Sequence, residues 1–305
     1  MLKNNSLAPI CLFVYSRLQE TKQTIESLQR NKLATESQLF IFSDGEKNQK
    51  TQDAVCAVRE YIHTINGFKK VTVIESKTNK GLANSIISGV SEIVNKFGKV
   101  IVLEDDLIFS TNFLAFMNEA LNYYENEKRI LNISGYAFDL KYPAGYKYDV
   151  AFSYRFSSWG WAIWKDRWVE IDWEMKDYKL YKWDILKQIK FSRGGSDLAN
   201  MLYRQMNGKI DSWAIRFDYH HFKYDYLDVF PVKSKVSYDG FSSEATHTSL
   251  KTDAYDTTLD DSNETEFVFK ELVKPDKNIT KQFYKHYSFK TRLRNKIAQL
   301  KWKIN

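Results

Sequence analysis

Short, wholly apolar runs alternate with stretches of helical periodicity through the first third of the chain. Ile10–Tyr15 (ICLFVY) predicts a buried strand, and a helix follows from about Glu20 to Asn31. Gln38–Ser43 predicts a second strand that stops at the turn signal Asp44-Gly45, and a helix covers about Lys50 to Asn66. Val71–Glu75 is a third strand, after which Asn79-Lys80-Gly81 opens a helix reaching about Phe97. Lys99–Leu103 (KVIVL) is a fourth strand and runs straight into Glu104-Asp105-Asp106. Apolar runs this short, separated by helices this long, predict βαβ units and a mostly parallel α/β sheet flanked by helices.

After a helix at about Asn112–Asn126 and a strand at Ile130–Ser134, the alternation stops. Residues 136–190 are rich in Tyr and Trp. A helical stretch, Asp197–Asn207, leads to Asp211-Ser212-Trp213, which predicts a helix start with Asp211 as N-cap. Phe230–Val236 predicts another strand, a Gly/Ser/Thr-rich loop ends at His247, and residues 251–265 are polar and acidic. The pattern divides the chain into one domain over residues 1–250, with a regular half (1–135) and an aromatic-rich half (136–250), and a polar loop with a basic tail over 251–305. No internal repeat is visible.

In parallel sheets the working groups sit beyond the carboxyl ends of the strands. Ser16-Arg17, Ser43-Asp44-Gly45, Ser76–Gly81 and Glu104–Asp106 occupy four such ends. Three consecutive acids after an apolar strand repel one another, and a hard divalent cation, Mn²⁺ or Mg²⁺, resolves that repulsion with carboxylate and phosphate oxygens; a solvated turn is the bland reading. Arg17 and Asp44, as a pair at neighbouring ends, suit a nucleotide, with the carboxylate accepting from a base N–H and the guanidinium near ribose or phosphate; alone, each reads as a turn residue or a surface charge. Lys80, in Asn79-Lys80-Gly81, marks a phosphate-side loop or simply a helix start. Trp159 and Trp161 flank Gly160 in a Ser-rich stretch and are candidates for a sugar-binding platform, while Trp164 and Trp168 read as core. His220-His221 fall inside a helix and read as structural, whereas His247 on its loop is better placed as a ligand.

Composition narrows the classes. The balance of 43% hydrophobic and 27% charged residues is globular, and 15% aromatic content with only 12 Gly and 4 Pro excludes collagen-like and low-complexity chains. Two cysteines cannot build a disulfide framework. Lys281–Asn305 holds eight Lys/Arg and no acid, so removing them from the net +7 leaves the rest about neutral. This argues against a nucleic-acid-binding body and for a basic tail with its own partner. In that tail Leu293, Ile297, Leu300 and Ile304 share a helical face, the pattern of a helix lying in an anionic membrane interface or packed on its own domain. No spanning apolar run and no signal-peptide pattern are present, so the expectation is a cytoplasmic protein, peripheral at the inner face of the plasma membrane. The motifs H-E-x-x-H, G-x-S-x-G, G-x-x-x-x-G-K-[ST] and G-x-G-x-x-G are absent, which removes zincins, serine hydrolases, P-loop ATPases and classical dinucleotide enzymes.

From Ile10 to about His247 the chain resembles the GT-A glycosyltransferases, and most of all the group containing N-acetylglucosaminyltransferase I and its bacterial relatives. The resemblance is carried by Val102-Leu103-Glu104-Asp105-Asp106-Leu107, by Asn112-Phe113-Leu114, and by Ser158-Trp159-Gly160-Trp161 ahead of Asp166-Arg167-Trp168. It implies a Rossmann-like sheet, a UDP-sugar donor and an inverting transfer to a glycan or lipid-linked glycan. It further implies that Asp106 binds Mn²⁺, that Glu104 and Asp105 face ribose and sugar, that Arg17 and Asp44 flank the uracil, and that His247 is a further metal or diphosphate contact. The family's W-D-D-W-type segment is replaced by Asp211-Ser212-Trp213-Ala214-Ile215-Arg216, which makes Asp211 the expected general base and Asp197 the runner-up. Two other classes compete. A sugar nucleotidylyltransferase needs a Gly-rich first loop, and Ile10–Arg17 contains no glycine; a non-catalytic carbohydrate-binding protein fits the Trp pair but leaves Glu104–Asp106 unexplained.

Overall fold

The computed structural model describes residues 6–238, 257–294 and 297. His247 and the tail positions Leu300 and Ile304 lie outside the described residues.

The first seven elements are β1 (Ile10–Val14), α1 (Leu18–Gln29), β2 (Gln38–Ser43), α2 (Gln49–Ile62), β3 (Lys70–Glu75), α3 (Leu82–Phe97) and β4 (Lys99–Glu104). β5 (Leu107–Phe109), α4 (Phe113–Tyr123), β6 (Ile130–Ser134), β7 (Val150–Ser153) and β8 (Trp161–Trp164) follow. Then come α5 (Lys165–Trp168), α6 (Tyr178–Tyr181), α7 (Ile185–Phe191), α8 (Leu198–Met206), α9 (Trp213–Lys223), β9 (Leu227–Pro231), β10 (Val236–Tyr238) and α10 (Lys277–His286).

Eight strands form one sheet in the order β3-β2-β1-β4-β8-β6-β9-β7. β3, β2, β1 and β4 pair in parallel, as do β6 and β9, while β8 and β7 run against their neighbours. All five residues of β1 are buried, as expected of a strand covered on both faces. Its alternation splits the core: Ile10, Leu12 and Val14 face a layer containing Ile25, Leu28 and Val58, whereas Cys11 and Phe13 face a layer containing Ile86, Val90 and Val94 of α3. A third cluster, with Tyr181, Phe191, Leu202 and Tyr219, sits under α6–α9.

The aromatic half is not irregular. Trp161 and Ile163 point to one core layer and Ala162 and Trp164 to the other, so this run is a central strand with a period of two. The single strand expected over Phe230–Val236 is two. Pro231, which has no N–H for a ladder, closes β9, and β10 pairs antiparallel with β5 in a separate two-stranded sheet. The polar stretch from Thr257 onward is strapped to the body, with Asp260 accepting from Lys235 Nζ and from Asn112 Nδ2 (2.9 Å). The start of the basic tail is docked: in α10 Ile279 and Phe283 are buried, Phe283 packs on Phe138 and Phe230, and His286 stacks on Phe138. Among the described residues no helix is long and apolar enough to cross a membrane.

Candidate active site

The carboxyl ends of β1, β2 and β4 surround a cavity of about 330 Å³, within the range of ligand pockets of roughly 300–1,000 Å³. Phe13, Phe42 and Leu82 form its apolar wall, with Phe13 and Phe42 stacked at 5.0 Å between ring centres. Arg17, Asp44, Glu104, Asp105 and Asp106 form its polar side. Tyr15, Lys47 and Tyr238 also line it, and the sequence pattern singles out none of them. Tyr15 was findable, because it is the first residue past the end of β1; Lys47 and Tyr238 belong to segments without a strand-end signal.

The acids are held by one cation. Arg17 Nη2 pairs with Asp105 and lies 2.9 Å from Asp106, and the Tyr15 N–H donates to Asp105 at 3.3 Å. Asp105 and Asp106 are buried. Burial, reinforced by Asp106 and Asp105, pushes Glu104 up to about 8 against the pull of Arg17. Burial also pushes Asp105 to about 6 and raises Asp106, although Arg17 opposes both shifts. Three carboxyls sharing one guanidinium leave excess negative charge in a poorly solvated place, which favours either protonation or a further cation.

Asp44 has a different local duty. Its carboxylate accepts from the backbone N–H groups of Gly45 (2.9 Å), Lys80 (2.9 and 3.1 Å) and Gly81 (3.0 Å). Asn79 Nδ2 returns a bond to the Gly45 carbonyl at 2.8 Å, so the β2 turn and the loop before α3 clasp each other. Two glycines make the clasp possible. A Cβ on Gly45 would lie 2.5 Å from the Thr78 carbonyl carbon, and Gly81 takes φ +76° as the N-cap of α3. Lys80 lines a smaller neighbouring recess of about 100 Å³.

Three expectations are corrected. Trp161 is fully buried among Phe156, Trp168, Trp213 and Phe217, so it has no face for a sugar. Trp159 is part-buried and stacks on Tyr238 at 4.8 Å with rings 3° from parallel, which brings it beside the cavity rather than into solvent. Asp211 does not cap α9; Ser212 does, through the Ile215 N–H, and Asp211 lies 4.0 Å from Arg216. The Asp211 carboxylate stands 3.5 Å from where a Cβ on Gly81 would be, and Gly81 lines the cavity. Asp197, the runner-up base, makes a bidentate pair with buried Arg155 at 2.8 and 2.9 Å. That pairing outweighs burial and lowers its proton affinity, which suits a structural counter-ion and not a base.

Among the described residues no three His, Cys, Asp or Glu side chains converge on a point where a metal ion would be caged. Magnesium-like ions at phosphate sites use one or two carboxylates, with phosphate and water oxygens completing the shell. Asp106, with Glu104 beside it, fits that smaller requirement: oxygen donors, buried and under-compensated in charge.

No family model matches the chain, and no curated protein matches it. Among solved structures it is similar to a mannosyltransferase of Pyrobaculum calidifontis, described in complex with GDP-Man and Mn²⁺, at 11% identity and a TM-score of 0.35, over 54% of this chain and 49% of that one. It is similar to TarS of S. aureus at 12% identity and a TM-score of 0.30, over 47% of this chain and 24% of that one. The chain thus spans about half the length of the first and a quarter of the second. Neither overlap is close enough to fix the fold.

Proposed function

We propose that the chain is a metal-dependent glycosyltransferase of the GT-A type, moving a sugar from a nucleotide-sugar donor to a glycan or lipid-linked glycan in the synthesis of bacterial surface polysaccharide. One observation carries the reading: a ligand-sized cavity at the carboxyl ends of parallel strands, apolar on one wall and lined on the other by a buried acidic triplet with a single arginine. The wall of Phe13, Phe42 and Leu82 suits a flat base, and uracil is the proposed one. Arg17 and Asp44 border the nucleotide, with Lys80 on the side of the diphosphate. Asp106 would hold Mn²⁺ or Mg²⁺, with Glu104 and Asp105 toward ribose and sugar, and His247 is kept as a proposed further contact. When bound, such an ion supplies charge neutralisation for a leaving diphosphate.

This chain's residues then have separable tasks. Arg17 holds Asp105 and Asp106 in place and favours their ionised forms against burial. Trp159 and Tyr238 border the acceptor side. Asp211 removes the proton from the attacking hydroxyl, on the face opposite the diphosphate, so the anomeric configuration inverts. The position of Asp211 beside Gly81 supports it over Asp197, whose carboxylate is engaged by Arg155.

The test is a melting-temperature screen of UDP, GDP and dTDP, each with and without Mn²⁺. UDP with Mn²⁺ is expected to stabilise the protein most, and Asp106→Ala is expected to lose the Mn²⁺-dependent part of that shift. Stabilisation by no nucleotide, or a shift unaffected by Asp106→Ala, sinks the reading.

A further inference from the structure

Apolar side chains that face outward stand out on one side of the molecule. In residues 179–190 Leu180, Trp183, Ile185, Leu186 and Ile189 are each between 64% and 79% exposed. This follows from helix geometry. In α7 Ile185, Leu186 and Ile189 fall within about 100° of arc, while Phe191, on the other side, is buried against Tyr181, Tyr219 and Phe222. The small inward face is satisfied, and the larger apolar face is turned to the outside.

The charges around that face are mostly positive. Lys179, Lys182, Lys187 and Lys190 are exposed, against a single acid, Asp184, which caps α7 by accepting from the Lys187 N–H. A second apolar stripe lies past α10. Past α10 the chain is helical over 289–294, and Phe289, Leu293 and Ile297 recur every four residues, between 46% and 69% exposed. Lys290, Arg292 and Arg294 accompany them, with no acid. The two segments meet at Ser196, just beyond the turn that follows α7. Its N–H and hydroxyl donate to the Tyr287 carbonyl at 3.2 and 2.8 Å, and Arg292 Nη1 donates to its hydroxyl at 3.2 Å.

We propose that residues 179–190, together with the outward-facing Phe289, Leu293 and Ile297, form a docking face for an anionic lipid surface. Lipid fits better than a protein partner on two counts. The apolar groups include a tryptophan and are interleaved with lysines, the composition of an interfacial segment that sinks rings and branched chains below the headgroups while ammonium groups stay at their level. Net positive charge on both stripes complements anionic headgroups and opposes pairing with a second copy of the same face. The surface does not depend on the proposed transfer reaction, and its test involves no turnover.

The test is co-sedimentation of the full chain with vesicles of phosphatidylcholine alone or mixed with phosphatidylglycerol. The wild type should pellet with the mixed vesicles at low salt, and less as salt rises. Trp183→Ser/Leu186→Ser/Ile189→Ser should weaken that binding by about tenfold or more, with an unchanged melting temperature because all three side chains are exposed. Failure of the wild type to pellet, or equal binding by the triple variant, overturns the proposal. So does a concentration-dependent dimer that the triple variant abolishes in the absence of vesicle binding, which would make the face a contact between copies. Should the triple variant misfold, Lys182→Gln/Lys187→Gln/Lys190→Gln gives a second reading: loss of binding to mixed vesicles supports a charged-lipid face, and unchanged binding overturns it.

Discussion

Asp211 and Asp197 are both aspartates near a helix start, yet their surroundings differ completely. Asp211 is largely solvent-facing beside Gly81, and Asp197 is clamped by Arg155, itself packed 3.6 Å under the Tyr287 ring. Asp211→Asn removes the proposed base and leaves the Ser212 cap of α9 in place. The expected outcome is a rate lower by about 10²-fold or more, with nucleotide binding and melting temperature unchanged; a near-normal rate shows that another group takes the proton. Asp218 offers a residue-scale test of burial. Its carboxyl is pushed up to about 7 chiefly by burial, against Arg155 and the Phe156 N–H that donates to it at 3.0 Å. A carboxyl raised from 3.8 to about 7 on folding makes the native state the better proton binder across that window, so it subtracts stability as pH rises. Between pH 5 and pH 8 the wild type should lose more melting temperature than Asp218→Asn, in which the amide oxygen still accepts from Phe156. Equal losses in the two proteins would remove Asp218 as a cause.

At the scale of elements, strands bounded by helices were legible, and β1 to β4 fall where the apolar runs put them. The acidic triplet was legible too, because like charges after a buried strand are a conflict that local structure does not relieve. What escaped was set by distant partners. Trp161–Trp164 becomes a strand because β4 and β6 close on both sides of it, and nothing within those four residues announces such neighbours. Arg155 and Tyr287 meet across a long stretch of chain, so no spacing rule reveals that Asp197 is already paired. The tail shows the same effect. Leu293, Ile297, Leu300 and Ile304 read as one face of a helix lying on a membrane or packed on its own domain; ahead of them α10 buries Ile279 and Phe283 on the body, while Phe289, Leu293 and Ile297 are exposed. A chain ending at Asp276 should therefore be clearly less stable than wild type, since it loses two packed core side chains, each contributing about 2–5 kcal/mol. A chain ending at Ser288 should melt within a few degrees of wild type. The reverse order in denaturant titrations would refute the docking of α10.

For the molecule as a whole, one sheet runs through the regular and the aromatic-rich halves alike, and β4 is the seam. Its register is fixed on one side by β1, with Ile10 opposite Ile101, and on the other by β8, with Trp161 opposite Val102. A fragment of residues 1–135 would carry every acid of the triplet, but with the β8 side of β4 uncovered. It should aggregate or stay expanded in size-exclusion chromatography, whereas a well-folded monomer would show that the two halves are separable.

That seam also bears on how the protein comes into being. On a ribosome β1 to β4 emerge first, and β4 then waits for nearly sixty residues before β8 arrives to cover its open edge. Pairings this distant in sequence are slow to form, and an uncovered apolar strand is vulnerable in the interval. Tyr238, which lines the cavity, is made later still, so the cavity is completed late in synthesis, and substitutions in β8, which contributes no lining residue, should show first as lost soluble yield.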